Sequence, residues 1–409
     1  MNATVAFSLI VLAALLLEPV TKRLHLPQSA VLVLGGFLGS ELLVGLGIDT
    51  GLRWYHFSDL ILLVFLPALV FEDAFNTDVR DLLRCLLIVL FLAVPMLLAA
   101  SLVIGTLLYF GIGHPVGFPL VTAVLAGALL SASDPVAIVS AFKRVDVPAR
   151  LQSIVKGEAL FNDAAAIVLF SLLVSLATTH QGEIDPAAAI GGFLWIFFGG
   201  IGLGALLGAL GVGLLRLLRQ DTASAALTIT VAVMCMYLGE YVLHVSGIIA
   251  VLCSGLLMGM GNRRLRQSAF PGALWEFIAF VAQALIFVLV GVTITSGMFE
   301  ANWLAMLIGI AAVLFTRAAL VYSTLPPLSW MKLTAPIPVK ECTVIALGGM
   351  QGATALALAL SLPTALESWF TVQSIAYGVV LFVIFIQAPV MESLLRRLFG
   401  PKLTMDTPA

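Results

Sequence analysis

Glu158, Asn162 and Asp163 fall within six positions of "GEALFNDAAAIVLF" (residues 157–170), a stretch otherwise apolar enough to dissolve in lipid. A bare carboxylate in hydrocarbon costs several kcal/mol, so Asp163 must be protonated, paired with a base, or coordinating a cation. A choice between proton and cation is one that a transporter can exploit. Glu158 and Asn162 are four apart and share a helical face, whereas Glu158 and Asp163 are five apart, about 140° around a helix. The two acids therefore need different partners. The base inside an apolar run is Arg317, in "LFTRAALVY". A Glu158–Arg317 ion pair satisfies both, the alternative being a neutral Glu158 bonded to hydroxyls or water.

Such residues need an element that carries them across a membrane, and the composition supplies it. Of 409 residues 61% are hydrophobic and 10% charged, with a mean hydropathy of +1.13. A net charge of -2 and a pI near 6.2 provide no basic surface for nucleic acid. The four cysteines, Cys85, Cys235, Cys253 and Cys342, lie in apolar runs and read as small apolar side chains, with neither disulfide nor metal spacing. Lys22 and Arg23 follow the first apolar run, as expected of a retained helix and not of a cleaved signal.

Spanning about 30 Å of hydrocarbon takes roughly 20 helical residues. Thirteen runs meet this, at 3–20, 28–47, 57–76, 81–110, 116–142, 150–178, 187–218, 222–243, 246–262, 270–297, 302–325, 340–362 and 368–399. The expected class is thus an all-α polytopic membrane protein with thirteen transmembrane helices, since barrel-type alternation is missing. With the N-terminus outside, every one of the 20 basic residues except Arg53 and Arg317 lies at an inner loop, which sets the expected C-terminus inside. About a dozen residues follow Arg397, so no cytosolic regulatory module is expected.

A six-plus-one-plus-six plan permits two inverted six-helix repeats, each with a broken helix in the same place. The fifth run reads "GALLSASDPVAIVSAF", where Pro135 removes a backbone donor beside Asp134 and Ser133. The twelfth reads "ALGGMQGATALAL", with Gly348, Gly349 and Gly352 around Met350 and Gln351. These are equivalent positions, and Asp163 lies roughly 20 Å along the sixth helix at 1.5 Å per residue, near the midplane. Asp163 is expected to face the break at Ser133 and Asp134.

The segments "SASDPVAIVSAFKRV", "KGEALFNDAAAIVLF", "HVSGIIAVLCSGLLMG", "LWEFIAFVAQALIFVLVG" and "GGMQGATALALALSLP" together resemble the monovalent cation/proton antiporter superfamily, in its sodium/proton exchanger branch with an Asn-Asp pair. The likeness spans nearly the whole chain in order. It implies a dimerisation or scaffold part (1–80 and 181–298), a moving core (81–180 and 299–399) and a short cytoplasmic tail (400–409). It also implies a homodimer in the plasma membrane, serving pH homeostasis. Asp163 becomes the site where Na+, with Li+ or K+ as other candidates, alternates with a proton, helped by Asp134, Ser133, Asn162 and Glu72 of "FLPALVFED". No cofactor is implied, since Na+ and H+ are cargo. The single Asp of the pair is similar to the electroneutral branch.

Two positions depart from that family. Ala159 stands where a small polar residue often follows the glutamate, so a water or backbone carbonyl is expected to supply the missing oxygen. "Gly-Met-Gln-Gly" replaces Gly-Leu-Arg-Gly, so Gln351 removes a fixed positive charge. Asp73 is read onto a different face from Glu72, Glu18, Glu41, Glu240 and Glu276 onto helix ends, and His25, His56, His114, His180 and His244 onto loops or helix ends without metal spacing. The Gly-rich seventh run, "GGIGLGALLGALGVG", offers a face for a second copy or for packing inside one chain. A channel lacks a filter loop. An intramembrane aspartyl protease lacks its Gly-x-Gly-Asp context, so no enzyme activity is expected. A sodium-coupled symporter of similar crossed-helix fold is the remaining alternative.

Overall fold

A computed structural model of the chain describes residues 27–45, 60–113, 118–142, 144–179, 186–218, 220–261, 269–330, 335–366 and 368–400, together with Leu12 and Leu16. The first predicted run (3–20) apart from Leu12 and Leu16, the tail from 401, and four of the five histidines (25, 56, 114 and 180) lie outside these residues, as does Glu18. So does half of the loop charge on which the predicted orientation rests. The described part is helical throughout its membrane-length segments, and the twelve runs from 28 to 399 each take up helix. The total of thirteen therefore stays an expectation.

In chain order the helices are α1 (Gln28–Gly45), α2 (Leu66–Asn76), α3 (Val79–Arg84), α4 (Leu86–Ala93), α5 (Pro95–Ile112), α6 (Leu120–Ser131), α7 (Val136–Phe142), α8 (Ala149–Thr179), α9 (Pro186–Leu215), α10 (Asp221–Tyr237), α11 (Gly247–Gly261), α12 (Ala269–Thr293), α13 (Ser296–Trp330), α14 (Val339–Gly348), α15 (Ala353–Leu360), α16 (Trp369–Phe382) and α17 (Ala388–Phe399). Eight continuous helical stretches among the described residues are long and apolar enough to cross a membrane by themselves, and α1, α6 and α11 are shorter apolar ones. Local sequence explains the joints. Pro95 opens α5 at its N-terminal end, where a missing N–H costs nothing. Asn302 leaves helical geometry and kinks α13, its amide donating to Ser374 Oγ at 3.2 Å. That helix runs through Pro326 and Pro327 to Trp330, past the predicted end at 325.

Two groups of helices pack mainly among themselves: α1, α2, α9, α10, α11 and α12 in one, and α4, α5, α6, α8, α13, α14, α16 and α17 in the other, with α7 against α17 and α15 against both α16 and α12. Close approach relies on glycine. A Cβ at Gly200 would stand 2.6 Å from Ser246 O, and one at Gly208 2.9 Å from Ser254 Cα. Gly200, Gly204 and Gly208 of α9 are therefore packed against α11 inside the chain. The opposite face of α9 presents Trp195, Phe198, Leu206 and Leu210 outward, as expected where the surrounding solvent is lipid.

At one end of the bundle several predicted inner loops meet. Arg150 donates to the carbonyls of Ala335 and Pro336 at 2.9 and 3.0 Å, and Arg144 reaches Glu392, which also accepts from Arg396 at 2.9 Å.

Candidate ion site at the helix crossing

The fifth and twelfth runs each come apart at mid-span, over residues 132–135 between α6 and α7, and 349–352 between α14 and α15. Pro135 sits in the first break and Gly349, Gln351 and Gly352 in the second. Each break frees backbone groups that lipid cannot satisfy, so each needs a protein partner. Asp134 meets this need at two helices at once. Its Oδ1 accepts from Val136 N at 2.8 Å, the first residue of α7, and its Oδ2 accepts from Ala353 N at 3.1 Å, the first residue of α15. Its own N–H donates to Met350 O at 2.6 Å. One carboxylate thus caps the positive ends of both half-helices.

The carbonyl ends are closed by amides and a guanidinium. Gln351 Nε2 donates to Leu130 O at 2.8 Å, at the end of α6. Gln387 Nε2 donates to Leu347 O at 2.8 Å, and Arg317 Nη2 to Ile345 O at 3.3 Å, both at the end of α14. Gln373 Nε2 donates to Ala359 O at 3.1 Å, at the end of α15. An amide can do this without bringing a charge, which is what Gln351 contributes where the resembled family carries arginine. Gln373 and Gln387 went unremarked in the sequence, although an amide inside an apolar run is itself a signal.

Glycine at 352 has a steric cause. A Cβ there would overlap the Asp134 carboxylate, which its two backbone bonds hold in place, and one at Gly349 would overlap the Arg317 guanidinium. Gly352→Ala is accordingly expected to cut sodium-driven proton movement at least about tenfold, since misplaced machinery loses activity steeply. Wild-type rates in vesicles carrying Gly352→Ala would contradict this packing.

Asp163, on α8, meets the crossing from the side. Thr354 Oγ1 donates to its Oδ2 at 2.6 Å, and the backbone N–H of Ser133 also faces the carboxylate, whose Oδ1 is buried. Thr354, two residues after Gly352, thus brings a hydroxyl to the Asp163 carboxylate beside Ala159. Asp163 heads a cavity of about 190 Å³ that is also lined by Glu72, Asp73, Asp134, Glu276 and Gln283. Glu72 accepts from Asn76 Nδ2 at 2.8 Å. A neighbouring cavity of about 360 Å³ shares Asp73, Pro135, Val136 and Leu160, and continues past Asn76 and Asp81 to Ala149. Together they run from Asp163 to the end of the bundle that holds Arg144 and Arg150.

Not every predicted site residue reaches this cavity. Asn162 is buried, and its Oδ1 accepts from Ser133 N at 3.2 Å. Both residues stand behind the crossing, tying α8 to the first break, and neither lines the cavity around Asp163. Asp73 and Glu276, which the sequence assigned to another face and to a helix end, do line it. Their helices, α2 and α12, face α8 across the gap, a tertiary relation that helical spacing within one segment does not contain. Glu158 is 2% exposed and joined to Arg317 by an ion pair from its Oε1 to Nη2.

Residues 8–397 match the family described as "Sodium/hydrogen exchanger, transmembrane". The chain belongs to that family. It is 33% identical over 365 residues to the Na(+)/H(+) antiporter ApNhaP of Aphanothece halophytica, covering 87% of this chain and 68% of that protein. It is 30% identical over 391 residues to the Na(+)/H(+) antiporter NhaH of Halobacillus dabanensis, covering 93% and 94%. Its fold is that of the sodium proton antiporter MjNhaP1 from Methanocaldococcus jannaschii, with a TM-score of 0.82 at 20% identity over 98% of this chain and all of the other. The integral membrane character read from composition agrees with this family.

Proposed function

We propose that the protein exchanges a monovalent cation, Na+ first among them, for a proton across the membrane, the two competing for Asp163. The observation that carries this reading is the placement of the Asp163 carboxylate, held at one oxygen by Thr354, at the head of an acidic cavity. Such a carboxylate can take a proton or ligate a hard cation, and binding of one excludes the other. Glu72, Asp73 and Glu276 raise the local cation concentration in the approach. An empty, charged Asp163 meets a desolvation cost on crossing, which obliges exchange instead of leak. Sodium added to protein-filled vesicles containing a pH-sensitive dye tests this directly. Proton efflux coupled to sodium entry supports exchange, whereas sodium uptake that needs a second solute would support the symporter.

The two packing groups support a scaffold of α1, α2 and α9–α12 and a moving core carrying the crossing, divided as 1–80 and 181–298 against 81–180 and 299–399. Asp134 acts here through its charge and its capping bonds, Asn162 and Ser133 by fixing α8 to the break, and Glu158 with Arg317 as a structural pair. One cation per proton, a homodimer and a place in the plasma membrane follow from the family resemblance. The N-terminus lies outside and the C-terminus inside, with the cavities opening inward. A reporter fused after Pro408 is expected to be active only on the cytoplasmic side, and an external signal would reverse the orientation.

A further inference from the structure

Behind the crossing, away from the acidic cavity, lies a further small cavity of about 20 Å³ lined by Ala100, Ile104, Ser131, Asn162, Arg317 and Gln351 among others. Two of these lining residues each carry a buried polar atom without a hydrogen-bond partner, Gln351 Oε1 and Arg317 Nε. They are of opposite kind, an acceptor and a donor. Their side chains are otherwise engaged, Gln351 Nε2 with Leu130 O and Arg317 Nη2 with Glu158 and Ile345 O, so neither can turn away to solvent without breaking a bond. Gln351 is 4% exposed.

We propose that this space is a built site for one water molecule, which donates to Gln351 Oε1 and accepts from Arg317 Nε. A site of about 10–15 Å³ or more with two to four polar partners holds a single water. The nearby guanidinium disfavours a cation, and the amide oxygen disfavours an anion. The water links the second break to the ion pair of α8 and α13, so that break, pair and both half-helices form one hydrogen-bonded body. This holds whether or not the proposed exchange at Asp163 is correct, because its test reads structure and stability, not transport.

The test is the sign of a stability change. Ala100 lines the space from α5. Were the space a dry void, Ala100→Val would fill it with methyl groups and raise the melting temperature of the purified protein. With a water bound, the same change expels it, leaves a donor and an acceptor unpaired, and lowers the melting temperature. Ala100→Ser brings a hydroxyl that can replace the water and is expected to melt within error of wild type. Ala99→Val, one position away and not lining the space, controls for helix propensity. A rise for Ala100→Val relative to Ala99→Val overturns the proposal. So does an experimental map of the wild type, at a resolution that shows ordered waters, with no density between Gln351 and Arg317. Density within hydrogen-bonding distance of both atoms supports it, and decides the matter should Ala100→Val fail to fold.

Discussion

Asp163→Asn is expected to abolish sodium-driven proton movement in vesicles while leaving the folded protein intact. The substitution keeps the shape and an oxygen that can accept from Thr354 Oγ1, now 2.6 Å from Asp163 Oδ2. It removes the charge that a cation would neutralise and the oxygen that a proton would occupy. The same competition fixes the pH dependence in the wild type. Below the Asp163 pKa a cation must displace a proton, so its apparent affinity weakens about tenfold for each pH unit; above the pKa the affinity levels off. Isothermal titration or transport half-saturation across pH gives the slope. Retained exchange in Asp163→Asn, or an affinity that does not change between about pH 5 and 9, a range well beyond ordinary carboxylate values, would end the proposed mechanism.

The second large effect is expected at Arg317. Its guanidinium pairs with Glu158, donates to Ile345 O and packs against Gly349, with side-chain exposures of 12% for Arg317 and 3% for Glu158. Removing one partner of a buried pair leaves the other charge uncompensated and costs about 3–5 kcal/mol. Arg317→Ala should therefore lower the melting temperature sharply and reduce yield, whereas Glu158→Gln with Arg317→Ala should recover part of the loss, since it removes the stranded charge. A double variant no better than Arg317→Ala would assign the loss to the bond with Ile345 O. If Arg317→Ala melts and transports like wild type, the pair has no structural weight.

The membrane segments were legible because lipid demands long apolar helices, and the two breaks because proline and clustered glycine leave a mark at fixed positions. The single charged base inside an apolar run likewise pointed to its acid. What spacing could not supply was the relation between distant segments. Asp134 read as an ion ligand, yet both its oxygens are taken by backbone donors, one of them 219 residues away. Asn162 read as part of the ion site beside Asp163, yet successive helical residues point about 100° apart, and Asn162 turns to Ser133 N behind the crossing. Asp73 read onto a different face from Glu72 and Glu276 onto a helix end because hydropathy along a segment does not register a cavity between segments.

The shared cap at Asp134 also bears on how the chain is made. Ala353 N, one of the two backbone donors, lies 219 residues after the acid that accepts from it, which at about 5–20 residues per second is on the order of ten to forty seconds of synthesis. Throughout that interval α6 and α7 are in the bilayer with half of the Asp134 carboxylate unanswered and Leu130 O still waiting for Gln351. The first repeat cannot reach its final bonding as an independent unit, so a ribosome-bound intermediate truncated before Ala353 is left with an incomplete crossing for the insertion and quality-control machinery to recognise.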